Sequence, residues 1–369
     1  MICLVARYSS LVTRCMKFLI VRLGSLGDIV HALPAAAALR EHFPSARIEW
    51  LVDARYAVVL RLVSIVDRVI VLAGSRAATA RSTTPGRETH FTGWQGLPRA
   101  IGELRRSAYD VAFDLQGLIR SAVLARGSGA KRVIGFDRAH LREQPARFFY
   151  TESCDVSGAV HVVDKNLAVL AAVGIRGAAR VFPIDLTPSP AVDLVRESLG
   201  PASSAPFAVI NPGGGWPNKR WPPGRYGAAA AAMRERHGLR SVVLWGPGEQ
   251  ALADEVTAAS CGAARAAPPT DLAGIVALSR AARLFVGGDT GPLHLAAAVG
   301  APIVGIYGPT DPARNGPWQN EDEVVSRYNA CACHYQRRCR ERRACLLDIS
   351  VEEVVDAVNR RLAAGPPRP

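Results

Sequence analysis

Apolar runs of β character at residues 17–23, 47–52, 67–72, 109–115 and 131–135 are separated by helical patterns at 35–43, 53–63, 97–107 and 117–127. This alternation constrains the fold more than any other feature. Strands joined through helices pair most readily in parallel, and a parallel sheet needs helices on both faces. After a helical stretch at 161–173 and a proline-containing connection near 176–190, the alternation restarts. Strands are predicted at 207–211, 241–246, 283–288 and 302–308, interleaved with helices at 223–237, 248–260, 271–281 and 292–299. The expectation is an α/β chain of two doubly wound domains in tandem.

A chain of 369 residues is long enough for two separate cores. No apolar run approaches the roughly 18 residues of a membrane-spanning helix. Eight cysteines are too sparse for a disulfide scaffold and point to a cytosolic protein. The net charge of +13 calls for an anionic partner. The basic residues are scattered among alanine-rich helices without interleaved aromatics, which argues against nucleic acid. Residues 1–15 read as a start extension ahead of Met16. Residues 74–93 read as an irregular surface segment, and 309–348 as a loop.

In open α/β sheets ligands bind beyond the carboxyl ends of the strands. RLGSLGDIV, residues 22–30, occupies such an end. Gly24 and Gly27 permit a tight turn and close approach to a ligand. Asp28 is either a helix cap or a carboxylate facing the cleft; Pro34 favours a regular helix starting near 33 or 34, with 28–32 as a separate turn. In the second half, PGGGWPNK offers the backbone N–H groups of Gly213, Gly214 and Gly215 beside the charge of Lys219, which suits a diphosphate. VGGDTGPLHLAAA combines Asp289 or Thr290 as cap, Gly291 and Pro292 at the helix start, and His294 in its first turn, a second anion-binding terminus. Glu249 in WGPGEQ stands where a carboxylate accepts ribose hydroxyls. The spacing GxGxxG of a dinucleotide fold is missing, which disfavours a nicotinamide-dependent oxidoreductase.

Cys331, Cys333, Cys339 and Cys345 follow a CxCx5Cx5C spacing with arginines between them. A structural zinc site, a labile disulfide and free thiols all remain open, the thiols preferred, because the usual Cx2C knuckle is absent.

Together, RLGSLGDIVHALPA, DLQGLIRSA at 114–122, NPGGGWPNKRW, LWGPGE and GGDTGPLHLAAAVGAPIVGIYGPTDP at 287–312 resemble the lipopolysaccharide heptosyltransferases of glycosyltransferase family 9. The resemblance runs from about residue 16 to the last helix. It implies a GT-B architecture of two Rossmann-like domains facing a central cleft. The acceptor domain would span 16–180 and the ADP-sugar domain 181–348, with a helix within 349–369 packing back on the first domain. It implies an inverting enzyme with no metal or other cofactor in catalysis, ADP-heptose as donor and Asp28 as general base. Lys219, Thr290 and Gly291 would hold the departing ADP, with His294 near the diphosphate and Asp289 on the donor sugar or orienting its loop. Ser25, Gly27, Gln116, Arg120, Arg138 and Arg142 would meet the acceptor. The type I enzymes are most similar, so the acceptor is Kdo-lipid A and the location the cytoplasmic face of an anionic inner membrane, as a monomer. A type II or other family 9 acceptor, a nucleotide-sugar 2-epimerase and a non-catalytic nucleotide-sugar-binding protein are the alternatives.

Overall fold

The computed structural model describes residues 15–73, 86–93, 96–200, 205–341 and 343–365. The expectations for a start extension and for an irregular segment at 74–85 therefore lie outside the described residues, apart from Cys15. The chain divides between Asp185 and Leu186 into two compact units.

The first unit is built on a seven-stranded sheet: β1 (Lys17–Val21), β2 (Arg47–Asp53), β3 (Arg68–Ala73), β4 (Glu88–Thr92), β5 (Val111–Asp114), β6 (Arg132–Phe136) and β7 (Glu152–Cys154), in the order β4-β3-β2-β1-β5-β6-β7. All its pairings are parallel. Phe18, Leu19, Ile20 and Val21 of β1 are wholly buried, as expected for a central strand covered on both faces. The chain moves to one side of β1 for β2 and to the other for β5, so the topological switch lies at the carboxyl end of β1. Val21 pairs with both Leu51 and Asp114, which brings the loops after β1 and β5 out side by side.

The second unit repeats the scheme with β8 (Phe207–Asn211), β9 (Arg240–Val243), β10 (Ala264–Ala266), β11 (Leu284–Gly288), β12 (Ile303–Tyr307) and β13 (Glu323–Ser326), ordered β10-β9-β8-β11-β12-β13. Its switch lies between β8 and β11, where Asn211 pairs with Gly287. The loops after these two strands, 212–222 and 289–290, therefore start side by side.

The central elements match the predicted ones, and the differences fall at the margins. Residues 88–92, placed in an irregular segment by sequence, are edge strand β4; 323–326, placed in a loop, are edge strand β13. Strands β7 and β10 and helix Ala191–Leu199 were not anticipated. The helix expected at 53–63 shrinks to Ala57–Leu60. Residues 26–30 form a helical turn of their own ahead of helix Leu33–His42, whose start is set by Pro34.

Helix Val351–Ala363 shares the core of the second unit. Ser350 and Glu353 form a reciprocal capping box at its start. Its buried Val354, Val355, Ala357 and Val358 share a core with Ala230, Met233, Val304 and Ile306 of the second unit. The apolar face expected to lie back on the first domain is thus filled within the second. Arg361, wholly buried, donates to Asp322 Oδ1 at 2.9 Å, and the same oxygen accepts the Ile303 N–H. Removing one partner of such a pair strands a buried charge. Asp322→Ala should lower unfolding free energy by about 3–5 kcal/mol, read as a shift in urea midpoint, whereas Asp322→Leu combined with Arg361→Met should be much milder.

Candidate active site

In the second unit everything converges on Asp289, at the carboxyl end of β11 and 6% exposed. Its Oδ1 accepts from His294 Nε2 at 2.9 Å and from Asn315 Nδ2 at 2.8 Å. Its Oδ2 accepts from Lys219 Nζ at 2.5 Å and from Thr310 Oγ1 at 2.7 Å. Four donors fill the four lone-pair directions of a carboxylate. Burial by itself would raise the pKa of this carboxyl; the hydrogen bond and charge of His294, with those of Lys219, hold it well below the usual range. Asp289 is therefore a fixed anion that clamps three loops: the one carrying Lys219, the first turn of helix Gly291–Ala298, and the segment 310–315.

Asp289 orients, and His294 directs Nε2 to it. Thr290 caps the helix with extended backbone, and its hydroxyl accepts from Asn211 Nδ2 at 2.9 Å; Gly291 and Pro292 begin the helix. Lys219 is less deeply buried, with its ammonium 4.4 Å from the centre of the Trp216 ring. Glu249 accepts the N–H of Gly214 at 3.0 Å on one oxygen and that of Gly246 at 3.2 Å on the other. Each oxygen keeps a further lone pair for a hydroxyl. Gly213 is required for this: a Cβ there would lie 2.2 Å from Glu249 Oε2. The three glycines thus do not form the uniform amide cradle expected. Gly214 spends its N–H on Glu249, Gly213 makes room for that carboxylate, and only Gly215 is exposed.

In the first unit the loop after β1 holds Asp28 by three directed contacts. Arg22 Nη2 lies 2.6 Å from Oδ1, while the Ser25 N–H and hydroxyl reach Oδ2 at 2.9 and 3.2 Å. Arg22 is 7% exposed by side chain and Asp28 25%, so a buried cation holds a carboxylate that still meets solvent. The same guanidinium donates to the Leu115 carbonyl. Gln116 Oε1 accepts the Leu23 N–H at 2.7 Å, so this side chain ties two loops together, a use different from the acceptor contact expected of it. Beneath them Asp114, wholly buried, accepts from Tyr150 OH at 2.7 Å, Ser121 Oγ at 3.0 Å and the Gln116 N–H at 2.9 Å. Gly24 serves packing: a Cβ there would lie 2.3 Å from the Tyr56 ring. Ser25 is exposed and Gly27 buried within its helical turn; Arg138 and Arg142 are exposed in the segment after β6, and Arg120 in the first turn of helix Ile119–Gly127.

Sequence reading missed Arg22, Asn315, Thr310 and the Asp114–Tyr150 pair. Only Arg22 left a signal, as a charged residue closing an apolar strand. No disulfide joins the four clustered cysteines; Cys333 Sγ lies 3.6 Å from Cys339 Sγ and accepts the Arg340 N–H. Among the described residues, ligand atoms of Asp137, His140 and Asp155 of the first unit lie within 4.8 Å of one another.

Two Rossmann-like units with paired strand-end loops define the GT-B class of glycosyltransferases. Solved structures agree: an E. coli heptosyltransferase WaaC with ADP superposes with a TM-score of 0.71 at 22% identity, covering 94% of this chain and all of that one. E. coli ADP-heptose lipopolysaccharide heptosyltransferase II gives 0.71 at 20% identity over 95% and 99% of the two chains. The model of glycosyltransferase family 9 (heptosyltransferase) matches residues 98–344. Lipopolysaccharide heptosyltransferase 1 of Pseudomonas aeruginosa is 30% identical over 88% of this chain and 87% of its own length. The same-named protein of E. coli K12 is 27% identical over 85% and 93%. The chain belongs to glycosyltransferase family 9 and is a glycosyltransferase.

Because the Asp289 carboxyl is held below its unfolded value near 3.8, its contribution to stability is complete above pH 4 and lost as pH falls through the folded value. Asp289→Asn should cost about 3 kcal/mol at pH 7. The gap to wild type should narrow below about pH 4, measured by urea unfolding across pH; a gap independent of pH would contradict the clamp.

Proposed function

We propose that the chain transfers heptose from ADP-L-glycero-D-manno-heptose to Kdo of Kdo-lipid A in lipopolysaccharide inner-core synthesis, with inversion and without a catalytic metal. Its similarity to lipopolysaccharide heptosyltransferases 1 supports this acceptor class, and a related solved WaaC carries ADP-2-deoxy-2-fluoro heptose. The observation that carries the reading is Asp28, a partly exposed carboxylate held by Arg22 and Ser25 at the switch point of the first sheet. The proposed setting is the cytoplasmic face of the inner membrane. No helix among the described residues is long and apolar enough to cross a membrane.

In this reaction an acceptor hydroxyl oxygen forms a bond to the anomeric carbon as the bond from that carbon to the β-phosphate oxygen breaks. Asp28 takes the hydroxyl proton, and ADP leaves with the bonding electrons. The base needs placement more than strength, because bond making and breaking are concerted. Arg22 and Ser25 supply the placement. Lys219 and the free N–H groups at Thr290 and Gly291 meet the charge growing on the diphosphate. Asp289 holds Lys219 in position beforehand, so little reorganisation is needed when that charge appears. Glu249 would accept the ribose hydroxyls with its remaining lone pairs.

Asp28→Asn should lower kcat by about 10²–10⁴-fold while ADP-heptose binding, measured by calorimetry, is retained. Wild-type protein that binds donor but glycosylates a heptosylated core in place of Kdo-lipid A would move the acceptor to the type II class. Free sugar epimerised at C2 would indicate an epimerase. Arg22→Gln should cut kcat by about tenfold or more with KM for donor unchanged, and Arg22→Lys should restore part of the loss. An equal fall in donor affinity would mean that Arg22 only supports the fold.

A further inference from the structure

We infer that the turn Gln144–Phe149 and the basic residues beside it form a docking surface for an anionic lipid bilayer, an inference that rests on the proposed use of a lipid-linked acceptor. Phe148 is 86% exposed, the most of any large apolar side chain among the described residues. It is not a loose loop tip. Ala146, wholly buried, and Tyr150, hydrogen-bonded to buried Asp114, anchor the chain on either side of it. Glu143 adds two ties to the neighbouring loop: its N–H donates to the Gly117 carbonyl, and its carboxylate accepts the Ile119 N–H at 2.7 Å. The backbone therefore holds a large aromatic ring out into solvent from a fixed base, an arrangement with no packing role inside the unit.

The chemistry around the ring suits lipid headgroups. Arg138, Arg147, Gln144, Pro145 and Phe148 line a groove of about 450 Å³. Arg142 is exposed on the same segment, and Arg120 in the first turn of the neighbouring helix Ile119–Gly127. Of the acidic residues beside them, Glu143 is engaged with the Ile119 N–H and Asp137 with His140 Nδ1 at 2.5 Å. Ile119 and Val123, one turn apart on the helix that packs against this segment, each leave 39% exposed. An apolar ring rimmed by arginines can enter the acyl boundary while guanidinium groups meet phosphates, a pairing suited to a negatively charged interface.

Position supports the same occupant. β1, β5 and β6 are neighbours in the sheet, so the loops bearing Asp28, then Gln116 to Arg120, then Arg138 to Phe148 follow one another along one carboxyl edge. A surface bound to lipid there brings the bilayer to the edge that carries the proposed base. An acceptor sugar could then reach Asp28 while its acyl chains stay in the membrane.

The test is flotation of the full-length protein with phosphatidylcholine vesicles and with vesicles also containing phosphatidylglycerol, alongside Phe148→Ala/Arg147→Gln. Wild type should float with the anionic vesicles only and detach at high salt. The double variant should partition about tenfold or more weakly. With a deacylated, water-soluble acceptor, wild type and variant should turn over equally; with acceptor embedded in vesicles the variant should fall behind. Equal flotation of the two proteins, absence of wild-type binding to anionic vesicles, or capture of the patch by an acidic protein in place of lipid would overturn the inference. Failure of wild type on the soluble acceptor as well would instead count against the proposed reaction.

Discussion

A single carboxylate organises the second unit. Asp289 lies buried with all four lone pairs occupied, and the donors come from three parts of the chain: the loop after β8, the helix after β11, and two positions in the segment after β12. A buried charge is costly unless it is paired and fully hydrogen-bonded, so these loops have one mutually consistent arrangement. That arrangement leaves Lys219 and the start of helix Gly291–Ala298 beside one another, where the proposed diphosphate would lie. The clamp does no chemistry itself. In the proposed reaction it would supply the preorganisation that makes positive groups effective against charge that develops only in the transition state.

The first unit uses a related device one layer deeper. Buried Asp114 shapes the loop after β5; that loop returns Gln116 to the Leu23 N–H and the Leu115 carbonyl to Arg22, and Arg22 grips Asp28. The proposed base is thus positioned through two neighbouring strand ends. In both units a buried acid fixes loops at the switch point of a parallel sheet, and a more exposed polar group is left facing outward. One consequence is that several motif residues hold loops in place. Gly24 accommodates Tyr56, Gly213 accommodates Glu249, and Gln116 bridges backbone segments.

How much could be read from the sequence depended on burial. The central strands β1, β2, β3, β5, β8, β11 and β12 are covered on both faces, so each is written as a run of apolar residues that no other element imitates at that length. The four strands missed, β4, β7, β10 and β13, are the four edges of the two sheets. Edge strands are short and part-exposed, as in ETHFT, ESC, ARA and EVVS, and their polar residues conceal the pattern. The last helix was legible as a helix from its capping box and apolar stripe, but an apolar stripe does not name the surface it meets. Met233, Val304 and Ile306 decided that.

The sequence by itself determined the fold class, the two-unit plan, the family, and the strand ends to which chemistry is proposed, because periodicity, helix-start residues and short glycine-rich loops are local properties of a chain. Only the tertiary structure decided the division of labour at those ends. Whether Asp289 faces a sugar or a set of protein donors depends on Thr310 and Asn315, which reach it from more than twenty residues away, and Arg22 becomes the partner of Asp28 only once the turn at 24–28 folds back on β1. Exposure of Phe148 is likewise settled by anchors on either side of it and not by its own neighbours in sequence. Such roles follow from which polar groups share a buried volume, and spacing along the chain does not encode that.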